Sequence, residues 1–403
     1  VVCCGRFIFE SPKTNDRINP MRKLVFMLFI GALFFSYSAQ AKEDALDMAK
    51  RTNWRIVAEE SSSVLLDRFW NSRECYFNAE NDEHSKDFAY WPQAHAIDVI
   101  LDGYIRSENT KYKDIFDAWY SGIKAKNGGT FWNVFYDDME WIALAMLRLY
   151  DNTKDEKYLK TTDELWGYIK KGWDEKYAEG GVSWKSDQPW SKNACSNGPA
   201  SILASRLYNI SKRKENKEWA IKIYKWEREH LFNKETGAVA DNINGKRDSK
   251  WNFSFTYNQG TFLGAAHELF KITKDFQYLK DAMLAADFTL TSPQILDKTE
   301  KVLRDEGKGD GGLFKGIFTR YLVLLMLDEN LPTEKREKYA DFLYLNAQIL
   351  MDKGVNIEEL LFNSSWILPP QNSVTQLTSQ TSACMLLEMT ALYHREKIKL
   401  DKE

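Results

Sequence analysis

The sequence predicts an all-α fold, an (α/α)6 toroid of inner and outer helices, on three observations. A unit of one nearly all-apolar helix, a short polar turn and one amphipathic helix recurs along the chain. The first helix of each unit is apolar around almost its whole circumference, so it needs neighbours on most sides. No period-two alternation and no β-α-β order runs through the chain, and only loops such as 180–184 leave room for short strands. Units that bury faces on their neighbours build solenoids or rings, and inner helices this apolar favour closure.

The elements follow in order. Trp54–Phe69 reads as the first helix, and His95–Ile105 followed by Tyr112–Ile123 as a pair. Glu140–Tyr150 leads through the polar stretch Asp151–Asp155 into a helix from Lys157. Ala143 and Ala145 allow close approach in the first of these. Tyr158, Thr162, Leu165, Trp166 and Ile169 give the second one buried stripe at three-to-four spacing. Pro199–Tyr208 with Glu218–Trp226, Gly260–Phe270 with Tyr278–Leu290, and Phe318–Leu327 with Lys335–Met351 repeat the unit. Thr381–Tyr393 is a last inner-type helix, and the total is about a dozen helices over some 360 residues.

Stacked helix hairpins run their inner helices parallel, so the loops leading into them gather at one mouth. The conspicuous residues lie there: Tyr90 to Gln93, Asn133 to Asp138, Lys192 to Asn197, Tyr257 to Gln259, and Gly309 to Lys315. The turns leaving the inner helices are short Lys/Asp/Thr segments without such character. That asymmetry separates an active-site face from a structural one.

With 403 residues and 44% hydrophobic content the chain has ample material for a core, and a net charge of −3 gives no case for a nucleic-acid partner. Fourteen Trp and nineteen Tyr suit a protein that stacks on sugar rings, although large helical cores use aromatics as well. Met21-Arg22-Lys23, the apolar stretch Leu24–Phe35 and Ala39-Gln40-Ala41 read as a signal peptide, with Val1–Pro20 as upstream sequence. The expectation is therefore a leader over 1–41, one catalytic domain over 42–403, export to the periplasm or medium, no stable membrane insertion, and a monomer. Cys75, Cys195 and Cys384 stand apart without metal-ligand spacing; one disulfide is open to them, but buried free thiols are the simpler use. Five His without an H-E-x-x-H pattern give no zinc site.

Asp137-Asp138 is the strongest site candidate. Glycoside hydrolysis needs one carboxyl to protonate the leaving oxygen and another to attack or to activate water. Adjacent carboxylates among aromatics repel, so one pKa should rise towards that of an acid catalyst. A helix cap is the competing use, because Asp137 and Glu140 have capping-box spacing; one Asp suffices for that, and the second stays unexplained. Asn197 or Gly198 before Pro199 reads equally as an N-cap or as a sugar ligand, and Tyr257-Asn258-Gln259 shares the ambiguity. Asp310-Gly311-Gly312-Leu313-Phe314-Lys315-Gly316 is Gly-rich but lacks phosphate-loop spacing. His95 and His267 sit inside helices and read as packing residues. Trp184, after Gly180-Gly181, is the best loop aromatic.

At Tyr136-Asp137-Asp138-Met139-Glu140-Trp141 the sequence resembles glycoside hydrolase family 76, the α-1,6-mannanases. Four further blocks follow in family order: Gly180 to Trp184, Lys192-Asn193 through Ser196 to Ala200, Tyr257 to Gly260, and Asp310 to Tyr321. The resemblance implies an (α/α)6 fold and retaining endo-cleavage of α-1,6-mannan or manno-oligosaccharides, without metal or organic cofactor. It implies Asp137 as nucleophile and Asp138 as acid/base, with carboxyls about 5–5.5 Å apart; neighbouring residues would need a sharp backbone turn to reach that. Expected substrate contacts are Trp91, Gln93, Asn133, Tyr136, Trp184, Lys192, Asn197, Tyr257, Asn258, Gln259, Asp310, Lys315 and Arg320. The rival readings are another (α/α)6 sugar hydrolase or epimerase, which favours His or other acids at the mouth, and a helical glycan-binding protein, which has no need of both aspartates.

Overall fold

The computed structural model describes residues 39–82, 87–247 and 249–400. The leader expected over residues 21–41 lies outside them except for Ala39-Gln40-Ala41, which open the first helix. Among the described residues there are thirteen α-helices. Six form an inner ring: α3 (Pro92–Ser107), α5 (Tyr136–Thr153), α7 (Ala194–Ser211), α9 (Thr256–Thr273), α11 (Gly311–Met326) and α13 (Leu377–Leu400). Each packs on the next, and α13 returns to α3, so the ring closes. The outer layer is α2 (Trp54–Phe69), α4 (Thr110–Lys126), α6 (Glu156–Ile169), α8 (Lys214–His230), α10 (Phe276–Thr291) and α12 (Thr333–Ile349). Outer helices α4 to α12 follow their inner partners in the chain, whereas α2 covers α13; α1 (Ala39–Arg51) lies on α12. This is the expected (α/α)6 toroid.

The inner helices are buried on most sides, and glycines set the closest approaches. A Cβ on Gly260 would stand 2.6 Å from Phe318 Cα, and one on Gly316 would stand 2.8 Å from Ser382 Cα. Such distances admit only hydrogen, so α9, α11 and α13 touch through their backbones.

The turn from inner to outer helix is nearly identical in four repeats. α3, α5, α7 and α9 each end on one left-handed residue, Glu108, Lys154, Lys212 and Lys274. In three of them the next residue caps the outer helix: Asn109, Asp155 and Asp275 accept from Lys111 N, Lys157 N and Gln277 N.

Every inner helix starts earlier than its hydrophobic period suggests: α5 at Tyr136 rather than Glu140, α7 at Ala194 rather than Pro199, and α9 at Thr256 rather than Gly260. Residues assigned to loops at the mouth therefore form first turns. Asn197 and Gly198 are not caps, because Asn193 holds that position and Pro199 sits inside α7.

Three small sheets fill the loops. β1 (Trp70–Asn71) pairs with β2 (Tyr76–Phe77), and β7 (Val355–Asn356) with β8 (Leu361–Phe362). The largest is antiparallel and follows chain order: β3 (Ser183–Lys185), β4 (Gln188–Asn193), β5 (Asn242–Asn244) and β6 (Ser249–Trp251). The loop 180–184 leaves room for a short strand, and β3 begins within it.

At the opposite end of the ring the inner helices are tied by buried ions. Asp102 takes Arg148 Nη2 and Arg320 Nη2, each at 2.6 Å, and Arg106 joins Glu388 and Glu59, each at 2.8 Å. Positive side chains suit this end, where the helix dipoles are negative. Cys75, Cys195 and Cys384 are all buried. No helix among the described residues is long and apolar enough to cross a membrane.

Candidate active site

The starts of α3, α5, α7, α9 and α11 surround a cleft, with Asp137 and Asp138 on the first turn of α5 within it. Successive helix residues project about 100° apart, so the two side chains diverge without a special bend. The sharp turn expected between them is absent. The helix start also supplies free amides and a positive dipole end beside both carboxyls.

Burial pushes Asp137 up to about 6, while the Cys195 thiol, the first-turn amides and the Trp184 indole pull it back towards the anion. Burial, then the charges of Asp137 and Asp310, push Asp138 up to about 8. The two titrate as a pair, with Asp138 the later to lose its proton. Asn133 fixes Asp138: its Nδ2 donates to Asp138 Oδ2 at 3.0 Å, while its Oδ1 accepts from Phe135 N at 3.0 Å and turns the chain into α5. Tyr90, which donates to Phe131 O at 2.7 Å, is raised by burial and by the charge of Asp138.

Aromatic walls flank the pair. Trp91 Nε1 donates to Asp310 Oδ1 at 2.9 Å, joining the starts of α3 and α11 across the mouth. Phe135 and Trp184 pack at 5.0 Å on one side, and Tyr257 and Phe314 at 4.1 Å on another. Tyr257 is held by its hydroxyl, which donates to Asp241 Oδ1 at 2.8 Å. His95 packs 4.8 Å from Trp141 and 5.5 Å from Trp91. Burial and then Arg320 and Arg148 push it down to about 3. It is neutral at working pH and a packing residue, as its place inside a helix suggested.

Residues 53–401 match the profile of glycosyl hydrolase family 76. The chain belongs to that family. An α-1,6-mannanase of Salegentibacter sp. HEL1_6, solved as an inactive variant with two consecutive aspartates replaced and in complex with α-1,6-mannotetrose, superposes with a TM-score of 0.81 at 38% identity over 85% of this chain and 100% of that one. The Lin0763 protein of Listeria innocua superposes with a TM-score of 0.77 at 32% identity over 87% and 99%. A mannan endo-1,6-alpha-mannosidase of Candida glabrata is 25% identical over 59% of this chain; the match spans 58% of that protein's length.

Within this family 76 fold, the expected residues Trp91, Trp184, Tyr257 and Asp310 line the cleft with the aspartate pair, and Asn133 reaches it through Asp138. Eight others do not line it. Gln93, Asn197 and Gln259 are fully buried and clamp loop backbone: Gln93 spans Phe77 N and Phe77 O, Asn197 spans Val182 N and O, and Gln259 takes Val239 N and Gly237 O. A primary amide carries the donor and acceptor of a peptide, so it closes a loop as a strand would. Gln380 does the same in α13, bonding Phe362 N and Leu360 O. Asn258 is buried against Asp241. Lys192 is buried among Asp174 O, Gly181 O and Ser183 Oγ, and burial lowers its pKa to about 8. Lys315 donates to Ser364 O at 2.6 Å beneath Trp366. Arg320 faces Asp102 at the far end of the ring. Tyr136 turns away from the cleft to cover Gly172.

The capping box also fails. Phe135 is the N-cap, and Glu140 is buried with both oxygens unpaired, its pKa driven up by burial and by Asp137, Glu227 and Asp138. The structure adds Phe135, Trp141, Asn193, Cys195, Phe314 and Ile317 to the lining, and Asp241 behind Tyr257. Asn193 and Cys195 fall within the expected 192–197 segment; Asp241 lies in a stretch without any such signal.

Proposed function

We propose that the chain is a retaining endo-α-1,6-mannanase that cleaves internal mannosidic bonds by double displacement. The observation that carries this is the adjacent pair on the first turn of α5, both in the cleft: burial raises both carboxyls, and Asp138, which also meets the charges of Asp137 and Asp310, is the one driven further towards the acid. That is the order of acidities a retaining glycosidase needs. The Asp137 carboxylate attacks the anomeric carbon while the Asp138 proton passes to the departing glycosidic oxygen, leaving a mannosyl ester. The Asp138 carboxylate then takes a proton from water, and the water oxygen displaces Asp137. Two inversions restore the α configuration. Trp91, Trp184 and Tyr257 give flat faces for pyranose rings. The relatives named for α-1,6-mannan or mannotetrose support the substrate, and the basic, apolar and A-x-A segment before residue 42 supports export.

Incubation with unbranched α-1,6-mannan tests the reading. Short manno-oligosaccharides, formed with the α anomer first by NMR, are the expected result. Binding without products would make the protein a glycan-capture module, and first-formed β product would exclude double displacement.

The pH profile follows from the pair. kcat/KM is expected to rise as Asp137 loses its proton near 6 and to fall as Asp138 loses its own near 8, giving a bell centred at about pH 7. A profile flat from pH 5 to 9, about one unit beyond each limb, would remove this assignment of proton states.

A further inference from the structure

Trp251, at the end of β6, is half exposed, while the aromatics around it are largely covered. Strand register connects it to the cleft. Asn193 lines the cleft, Asn193 pairs with Asn242, and Asn242 pairs with Trp251. Directly paired residues share one face of a sheet, so Asn193, Asn242 and Trp251 form a row across β4, β5 and β6. The neighbouring row, Lys192, Ile243 and Lys250, begins on the opposite face with two buried side chains. Strands lie 4.7–4.9 Å apart, so the row carries the cleft face outward by about 10 Å.

A second path leads to the same residue. Trp251 stacks on Phe253 at 5.7 Å and 20°, and meets Phe255 edge-on at 5.6 Å. Phe255 contacts Phe314, which lines the cleft, at 5.4 Å. The indole is thus fixed from behind and from one edge, and its orientation is set before any ligand arrives. A rigid aromatic surface at the rim of a cleft, continuous with it by two routes and flanked by an amide side chain, suits a pyranose ring, whose C–H face stacks while its hydroxyl edge meets the amide.

The structure assigns Trp251 a sugar-stacking role in a distal subsite that holds the mannan chain about two strands beyond Asn193. This rests on the mannanase reading and adds to it a preference for long chains. One sugar unit does not span the gap from the catalytic pair to Trp251; a chain of several does.

The test compares Trp251→Ala, Trp251→Phe and the wild type on long unbranched α-1,6-mannan and on the shortest oligosaccharide that the wild type cleaves. Trp251→Ala is expected to raise KM on the long chain about five- to tenfold, with kcat little changed, and to leave the short substrate untouched. Trp251→Phe should recover most of the loss. Equal losses on both substrates, or none on either, would overturn the subsite while leaving the mannanase in place. A wild type inactive on both substrates would overturn the mannanase reading first, and the subsite with it.

Discussion

Asp137→Ala is expected to lower kcat on α-1,6-mannan about 10⁴-fold or more, and to be as inactive on an aryl α-mannoside with a good leaving group. No ester can form without that carboxylate, whatever the leaving group. Asp138→Ala should lose comparable activity on mannan, because an alkoxide leaves poorly without a proton. It should still form the ester from the activated mannoside, whose phenolate leaves unaided. Added azide, which needs no deprotonation, should then restore turnover and give mannosyl azide of retained configuration. The two variants thus differ in kind. The opposite pattern would exchange the roles of the two residues, and full activity of both variants on mannan would remove the pair from the chemistry. The geometry favours the order given: Asp138 bears the charges of both Asp137 and Asp310, whereas Asp137 has the Cys195 thiol and the Trp184 indole drawing it towards the anion.

Asp102→Ala is expected to be the most damaging substitution away from the cleft. Asp102 is buried and holds two guanidiniums, Arg148 from α5 and Arg320 from α11. Asp98 shares the same pair, with Arg148 Nη1 at 2.7 Å. Removing Asp102 strips a main partner from two buried cations, a loss of about 3–5 kcal/mol, read as a lower denaturation midpoint. Asp102→Asn keeps the shape and should cost less. The pH dependence has a definite sign. Burial alone would raise the Asp102 pKa, but Arg148 and Arg320 outweigh it and hold the carboxyl below its ordinary value. Its contribution is therefore complete above the unfolded-state pKa of about 3.9 and fades as pH falls through the depressed folded value. Wild type and Asp102→Ala should converge in stability in acid. A difference below about 1 kcal/mol at neutral pH, or one unchanged down to strong acid, would contradict this account.

Much of the architecture was legible because an inner helix must be apolar on every side and an outer helix on one. The period of 3.6 carries that information wherever apolar residues make the contacts. It fails at the helix starts, where Asp137, Asn197 and Asn258 interrupt the pattern, and each inner helix begins three or more residues before its visible periodicity. The site was legible in its chemistry and misread in its ligands. Gln93, Asn197 and Gln259 have the side chains a sugar would require, but an amide that closes a loop has the same composition as one that holds a hydroxyl. Only burial separates them. Asp241 was invisible because a lone Asp in a loop carries no pattern, and its place beneath Tyr257 is created by the sheet pairing around it.

The helix α2 covers α13, so the first full element of the ring and the last are partners. Ser62 Oγ bonds Glu388 Oε1 at 2.7 Å, and the Cys384 thiol reaches Ser61 O. A chain made from one end must therefore carry α2 through the synthesis of some 300 further residues before its main packing partner exists. An open array of helix pairs gains stability as each repeat is added; here the final repeat joins both loose ends at once. Removing α13 would bare flanks of α3 and α11 and leave α2 uncovered, so a nascent chain stalled short of residue 377 holds neither a smaller ring nor a working mouth.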